Sequence, residues 1–158
     1  MIKIRTASSE DAPLLASLNG IVHELHVGHR PDLFTDSPEQ DVLEAFFLAR
    51  LADPSVTAFI ADSSDGRTLG YAQARVVRWD SSALVRSDLV VSLDQIAVVP
   101  DAAGMGVGSA LLEAVREVGR KAGCRRLVTD VWDFNEGARA FYDAAGFRRM
   151  NVRLDQLL

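Results

Sequence analysis

The chain has 158 residues, with 17 Lys and Arg against 22 Asp and Glu, for a formal net charge of -5. Its 48% hydrophobic and 25% charged residues are typical of a globular protein, and we expect residues 1–158 to form a single domain. The acidity argues against nucleic acid as a partner, because binding a phosphate backbone needs a basic face. No apolar stretch is long enough to span a bilayer, so we expect no membrane partner.

The compartment is predicted from the cysteine count and the N-terminus. The single Cys124 permits no internal disulfide, and Lys3 and Arg5 are followed by no apolar run typical of a signal peptide. We therefore expect a cytoplasmic protein. No catalytic motif surrounds Cys124, so we expect a buried, inert thiol rather than an acyl-enzyme nucleophile.

The first half of the chain is predicted to hold two helices between strands. An alternating strand over residues 2–5 precedes a helix over residues 9–28. A second helix covers residues 38–52, with Pro38 at its first position. Two hairpin strands complete this half, over residues 56–61 and 69–79.

The second half predicts a strand over residues 89–99, a helix over 107–122, a buried strand over 126–132, a helix over 136–145 and a last strand over 147–154. The complete order is β-α-α-β-β-β-α-β-α-β. This order indicates an α/β fold in which a mixed sheet is flanked by helices. Its early strands are expected to be antiparallel, with one parallel crossover near the end.

A glycine-rich turn joins the strand over 89–99 to the helix that follows it. Gly104, Gly106 and Gly108 stand at alternate positions in that turn. Glycine permits unusual backbone dihedrals and leaves no side chain to keep a ligand away. The helix start adds unpaired N–H groups and the positive end of the helix dipole. The turn therefore predicts a cradle for a phosphate or pyrophosphate, in which we expect Gly106 and Gly108 to serve the ligand more than the core.

Two other phosphate-binding motifs do not match this turn. A P-loop would need a Lys after its last glycine, and the dinucleotide fingerprint would need Gly or Ala where this chain has Ser109. Taken alone, the turn is as consistent with a purely structural role as with a ligand site.

Two motifs together resemble those of the GNAT acyltransferase family. Residues 103–108 read Ala-Gly-Met-Gly-Val-Gly, which resembles motif A, Gln/Arg-x-x-Gly-x-Gly/Ala. Ala103 departs from that motif, in which Arg or Gln is usual. Residues 135–147 resemble motif B, Asn-x-x-Ala-x-x-x-Tyr-x-x-x-Gly-Phe. The motifs occur in the family order, and the resemblance is specific across residues 89–150.

The resemblance implies an N-acetyltransferase that moves an acetyl group from acetyl-CoA, as co-substrate, to a primary amine of a small molecule or peptide. It implies direct transfer in a ternary complex, and a homodimer is common in the family. The alternative is a non-catalytic acyl-CoA-binding module of the same fold. A third possibility, if the chain is not a member of this family, is that the glycine-rich turn binds some other phosphorylated ligand.

Tyr142 and Asp94 are the catalytic candidates that the resemblance implies. Tyr142 holds the motif B tyrosine and would protonate the leaving thiolate; otherwise it is a core or surface aromatic beside Phe141. Asp94 lies where family members often carry an acid that acts as a base through water; otherwise it is a polar residue on a half-exposed strand face.

The expected cofactor contacts follow the two motifs and the strand before them. Asn135 holds the family's cofactor-contacting position, and a helix N-cap is its other reading, which does not exclude the first. The full set of expected cofactor-binding residues is Ile96, Ala97, Val98, Ala103, Gly104, Met105, Gly106, Val107, Gly108, Ser109, Asn135 and Ala138.

The acceptor side is expected in residues 21–37, where Glu24, Asp32 and Phe34 are the candidate substrate-binding residues. The other reading of that segment is a solvated helix-loop-helix surface. Three histidines in this segment suggest a metal site. They are three residues apart, however, and each such step rotates the position by about 60° around a helix, so the imidazoles would converge poorly on one ion. We expect no metal, and the histidines could line the acceptor pocket. They are His23, His26 and His29.

Overall fold

The computed structural model describes residues 1–158 and contains one five-stranded sheet and four α-helices. The strands are β1 (Ile2–Thr6), β2 (Val56–Ser63), β3 (Thr68–Trp79), β4 (Asp88–Val98) and β5 (Arg126–Thr129). The helices are α1 (Ala12–His29), α2 (Gln40–Ala52), α3 (Val107–Ala122) and α4 (Glu136–Ala144). Single 3₁₀ turns precede α1 and α3, at Ser9–Asp11 and Pro100–Ala102.

The sheet order follows the chain, β1-β2-β3-β4-β5. The first three pairings are antiparallel, and β5 pairs with β4 in parallel after the α3 crossover. The predicted mixed sheet, with antiparallel early strands and one parallel crossover, is therefore confirmed. None of the helices combines the length and apolar character needed to cross a bilayer.

The helices cover the two faces of the sheet and bury a core on each. On one face α1 and α2 pack on the middle strands through Ala12, Leu15, Ala16, Leu18, Phe47, Ala58, Ile60, Tyr71 and Ala97. On the other face α3 and α4 bury a second cluster that includes Leu69, Val91, Leu93, Val107, Leu111, Leu112, Val115 and Tyr142. The sheet is thus held from both sides, and its backbone gives a rigid base for groups at its edge.

Two predicted strands differ from the structure. The strand expected over residues 126–132 ends at Thr129, because β5 separates from β4 beyond that point. The strand expected over residues 147–154 is not formed, although Met150, Val152 and Leu154 alternate as in a strand. A strand needs a partner edge for its backbone, and in this chain the segment is exposed and pairs with none.

Two irregularities of β4 shape the edge of the sheet. Gln73 of β3 lies opposite Gln95, but Ala74 lies opposite Leu93, so Asp94 is an extra residue in β4 and forms a β-bulge. On the other side, β4 pairs with β5 only as far as Leu93. Beyond Leu93, β4 therefore has β3 on one side and no strand on the other.

The close packing of α3 on β4 yields a stability prediction for two helical glycines. A Cβ built on Gly119 would lie 2.6 Å from Cγ1 of the buried Val91, whereas one on Gly137 of α4 meets nothing within 4 Å. Gly119→Ala should therefore lower the free energy of unfolding by about 1–3 kcal/mol through overpacking. Gly137→Ala should raise it by about 0.5–1 kcal/mol, because alanine loses less backbone entropy in a helix. Urea denaturation measures both, and equal stability of the two variants would contradict the packing.

Candidate active site

The open side of β4 presents backbone groups at alternate residues. The Val99 N–H donates to the Leu69 carbonyl oxygen at 2.9 Å, so Val99 and, by alternation, Ala97 direct their backbone groups to β3. Ile96 and Val98 therefore direct theirs to the open side. Of these expected cofactor contacts, Ile96 and Val98 have backbone groups available to a ligand, while those of Ala97 face β3.

The glycine turn forms the start of α3 as the sequence predicts. Gly104 and Gly106 have φ of +77° and +83°, a left-handed conformation that favours glycine. The first helical hydrogen bond is donated by Ala110 to the Gly106 oxygen at 3.0 Å. The N–H groups of Val107, Gly108 and Ser109 thus have no helical partner, and they lie at the positive end of the helix dipole. This is a concave set of donors suited to an anion such as a pyrophosphate.

Gly108 lies close to α4. A Cβ built on it would lie 3.1 Å from Cε2 of Phe141, so a larger residue would require the Phe141 ring to shift by a few tenths of an ångström. The expectation that Gly108 serves the ligand more than the core stays a prediction. Gly104 and Gly106 have open space in the Cβ direction. Ala103 and Met105 are exposed residues of the same turn, and Arg67 of the β2–β3 turn pairs with Asp101 at its start.

A cleft of about 450 Å³ opens where β4 and β5 separate. Its lining brings together elements far apart in sequence: α1, the loop after it, α2, the β4 bulge, the β5–α4 loop and α4. Six of the predicted site residues line it, namely Phe34, Asp94, Ile96, Asn135, Ala138 and Tyr142. The cleft therefore joins both catalytic candidates to the end of the open β4 edge.

Tyr142 is buried, with 7% of its surface exposed, yet it lines the cleft. Its ring packs between Phe141 and Phe147, with centroids at 5.3 and 5.2 Å. Burial raises the pKa of the phenol above its ordinary value of 10.0. The hydroxyl therefore stays protonated at neutral pH and can donate a proton or a hydrogen bond in the cleft.

Asp94 is placed by the bulge rather than by strand alternation. Its carboxylate accepts from Nε of Arg75 at 3.1 Å and from Oγ of Ser92 at 2.7 Å. Because the bulge adds one residue, Asp94 and Gln95 both contact side chains on the α1–α2 face of β3. Leu93 and Ile96, on either side of them, pack on the α3 face. Simple alternation would have placed Asp94 on the face of Ile96.

Aromatic rings form one wall of the cleft. His26 stacks on Phe34 with centroids 5.0 Å apart, and Phe34 meets Trp132 edge-on at 5.1 Å. His29 stacks on Phe134 at 4.5 Å, outside the cleft lining. We call His26, Phe34 and Trp132 the aromatic wall. Burial lowers the pKa of His26 below 6.5, with a smaller effect from His23, so the imidazole in the wall is neutral at pH 7.

The remaining acceptor candidates lie apart from the cleft. Glu24 lines a second, polar cavity of about 410 Å³ between α1 and the segment leading into α2. That cavity adjoins the cleft through the shared residues Asn19, His23 and Leu43. Asp32 forms an exposed ion pair with Arg30 at 2.8 Å and lines neither cavity.

The cleft also has lining residues that were not foreseen from the sequence, among them Asn19, Gln95, Asp130 and Trp132. Asp130 and Trp132 lie in the loop that follows β5, and loops after strands commonly carry functional residues. Both fall within the strand predicted over residues 126–132, so the sequence did not mark them as loop residues. Asp130 is exposed and forms no ion pair, so it adds a second carboxylate to the cleft beside Asp94. Asn19 and Gln95 carried no sequence signal, since only the tertiary structure brings them together.

Asn135 resolves one alternative from the sequence, and two further observations concern Cys124 and metal binding. Asn135 caps α4, its Oδ1 accepting from the Ala138 N–H at 3.1 Å, so the N-cap reading is confirmed. Cys124 is half-buried and lines neither cavity, and burial raises the pKa of its thiol, with a smaller effect from Asp88. No group of three or more His, Cys, Asp or Glu residues is arranged to hold a metal ion.

Comparisons with known sequences point to one kind of enzyme. A family model described as the acetyltransferase (GNAT) family matches residues 21–147. An aminoglycoside N(6')-acetyltransferase type 1 from Stenotrophomonas maltophilia is 35% identical over 144 residues, which cover 91% of this chain and 84% of the relative. A second, from Klebsiella aerogenes, is 30% identical over 113 residues and 72% of each chain.

Solved structures agree with this assignment. A mutant of the BH1408 protein from Bacillus halodurans superposes with a TM-score of 0.92 at 26% identity, covering 99% of both chains. The aminoglycoside acetyltransferase AAC(6')-Iy, in complex with the bisubstrate analog CoA-S-monomethyl-acetylneamine, gives a TM-score of 0.77 at 25% identity over 100% of this chain and 98% of that one. The relatives are enzymes, which favours catalysis over the non-catalytic module. The open β4 edge, the anion cradle and these matches together establish that the chain belongs to the GNAT family of acetyl-CoA-dependent acetyltransferases.

Proposed function

We propose that this acetyltransferase acetylates a primary amine of an aminoglycoside-like acceptor, by direct transfer while both substrates are bound. The observation that carries the proposal is the single cleft that joins the open β4 edge, the Tyr142 hydroxyl, two carboxylates and the aromatic wall. The aminoglycoside acetyltransferases among the relatives support the choice of acceptor.

Acetyl-CoA would enter from the cradle side. The free N–H groups of Val107, Gly108 and Ser109 would bind the pyrophosphate, and the open backbone groups of Ile96 and Val98 would pair with the amides of the pantetheine arm. This path leads along β4 to its bulge, so the thioester would reach the cleft. Acetyl-CoA supplies the activated acetyl group, and the protein supplies its orientation.

The acceptor would enter from the side of the aromatic wall. Asp94 and Asp130 would attract a cationic amine, and the rings of Phe34 and Trp132 would cover the apolar face of a sugar ring or bind a cation. Glu24, in the adjoining cavity, would attract a second amine of an extended acceptor. A dense set of carboxylates next to aromatic rings suits a polyamine with a rigid carbon frame better than a neutral substrate.

The residues of the cleft divide the proton transfers between them. A free alkylamine has a pKa of roughly 10, so deprotonating it at pH 7 costs about 4 kcal/mol. Asp94 would accept that proton through a water molecule. The amine nitrogen would then form the new bond to the acetyl carbon, while a backbone N–H at the bulge stabilises the charge on the carbonyl oxygen. As the carbon–sulfur bond breaks, Tyr142 would give its proton to the sulfur, and the nitrogen would lose its surplus proton, which restores the Tyr142 phenol through water.

Initial-rate kinetics test this proposal. Purified protein is assayed for thiol release with acetyl-CoA and kanamycin B, spermidine or a lysine peptide, each varied against acetyl-CoA. We expect kanamycin B to have the highest kcat/KM, with intersecting double-reciprocal lines as direct transfer requires. Parallel lines would indicate an acyl-enzyme, and preference for spermidine or the peptide would overturn the acceptor class.

The role of Tyr142 can be isolated with one substitution. Tyr142→Phe removes the proton donor and almost no volume, so kcat should fall about 10²–10⁴-fold while the affinity for CoA is kept. Phe141→Leu, which alters the neighbouring ring, is the packing control and should cost far less. Turnover at the wild-type rate in Tyr142→Phe would remove the phenol from the mechanism.

The cradle is tested by two glycines with the same backbone strain. Gly106 and Gly123 cap opposite ends of α3 with φ of +83° and +78°, and neither has an atom within 4 Å of a built Cβ. Gly106→Ala should weaken CoA binding at least tenfold, because its methyl group intrudes on the pyrophosphate. Gly123→Ala should lose similar stability, about 1–2 kcal/mol, with unchanged CoA affinity. Titration calorimetry with CoA separates them, and equal affinities would refute the cradle.

The aromatic wall predicts a pH dependence of acceptor binding. Because the pKa of His26 lies below 6.5, lowering the pH through that pKa charges an imidazole that is neutral at pH 7. The new charge would repel a cationic acceptor, so acceptor KM should rise as the pH falls below 6.5. His23, His29 and the carboxylates are common to the wild type and to His26→Phe, so this variant is the control: it keeps the stacking on Phe34 and should flatten that rise. An unchanged pH profile in His26→Phe would exclude His26 as the cause.

A further inference from the structure

A partly buried hydrogen-bond chain runs beside the cleft and joins α1 to the β4 bulge. The hydroxyl of Tyr71, a fully buried residue in the middle of β3, accepts from Nδ2 of Asn19 at 3.2 Å. The same hydroxyl donates to Oε1 of Gln95 at 2.8 Å. Burial raises the pKa of Tyr71 to about 12, so the phenol keeps its proton over the working pH range. The mechanism proposed above gives this chain no role.

The hydrogen bond from Tyr71 determines which end of the Gln95 side chain is free. With Oε1 engaged below, the amide nitrogen is the polar atom left for a ligand, and it makes no hydrogen bond within the protein. It is not among the buried polar atoms without a partner, which are Oε1 of Gln73 and Oδ1 of Asp88. Since Gln95 lines the cleft, its amide nitrogen is accessible there as a donor.

The bulge sets this donor beside a carboxylate. Asp94 and Gln95 are consecutive, both line the cleft, and both bond side chains of the same face of β3. A carboxylate attracts an ammonium group, whereas an amide N–H needs an oxygen to accept its hydrogen bond. The pair therefore matches a ligand that carries a cationic nitrogen with a hydroxyl oxygen close to it. A linear polyamine carries no such oxygen.

We infer that Gln95, held by Tyr71, donates a hydrogen bond to a hydroxyl of the acceptor next to the amine that is acetylated, and so selects amines on hydroxylated rings. Tyr71 is then a positioning residue that acts through Gln95, and Asn19 fixes Tyr71 from α1. The inference rests on the proposed function and deepens it, because it names the part of the acceptor that is recognised.

Two acceptors that differ in hydroxyl groups test the inference. Dibekacin is kanamycin B without two hydroxyls of the ring that bears the reactive amine. For the wild type we expect kcat/KM about threefold to tenfold higher for kanamycin B, the value of one neutral hydrogen bond. Gln95→Met, which keeps the length and removes the donor, should bring the ratio close to one. The ratio is measured on one preparation, so a partly folded variant still reports it.

A double-mutant cycle tests whether Tyr71 acts through Gln95. Tyr71→Phe should lower the kanamycin B to dibekacin ratio in the wild-type background and leave it unchanged in the Gln95→Met background. A merely structural effect of Tyr71→Phe would appear in both backgrounds. Gln156→Met, on the exposed chain end, is the matched control and should keep the wild-type ratio.

The outcomes separate this inference from the proposed function. If both compounds are acetylated and the ratio is the same in wild type and Gln95→Met, the role of Gln95 is refuted and the proposed function stands. If Tyr71→Phe changes the ratio equally in both backgrounds, the positioning role is refuted. If the wild type acetylates neither compound but does acetylate an amine without hydroxyls, the acceptor class fails and the inference fails with it.

Discussion

The bulge at Asp94 is the constraint on which the site depends. One extra residue in β4 shifts the register against β3 and puts two consecutive polar side chains on one face of the sheet. The parallel pairing with β5 ends at Leu93, beside that extra residue, and the strands separate from there. The same local irregularity thus opens the cleft, frees the backbone edge of β4 and presents Asp94 and Gln95 to whatever enters.

The two faces of the sheet have different tasks. The α3 face carries the anion cradle, and close packing fixes it: Gly108 against Phe141 and Gly119 against Val91 leave little freedom to the helix that starts there. The α1–α2 face carries polar groups, among them the chain from Asn19 through Tyr71 to Gln95. A positive helix end on one side and carboxylates on the other would keep an anionic and a cationic substrate apart until they meet at the bulge.

The aromatic wall joins a residue of α1 to residues of two loops, and the loop after α1 is held in place by hydrogen bonds and ion pairs. Nε2 of His23 donates to the Thr35 carbonyl oxygen at 2.7 Å, which holds the segment after α1 over the helix. Arg30 pairs with Asp32 and also with Asp155 near the chain end. Exposed ion pairs of this kind contribute little energy, so the ring stacking of His26 on Phe34 is the stronger tie. Under the proposed function, changes in these loops would alter the acceptor and leave the open β4 edge undisturbed.

The sequence by itself determined most of the elements and the glycine turn that we propose binds the cofactor. Hydrophobic periodicity, glycine and proline are local signals, so the four helices, four of the strands close to their bounds and the cradle at Gly104 and Gly106 could be predicted from them. Tertiary structure decided the rest. Whether residues 147–154 form a strand depends on a partner edge. The face of the sheet on which Asp94 lies depends on the bulge, and the closeness of Gly108 to Phe141 depends on how α3 packs on α4. The cleft gathers residues of six distant segments, such as Asn19, Gln95 and Trp132. No local pattern records which distant side chains the sheet register will bring together.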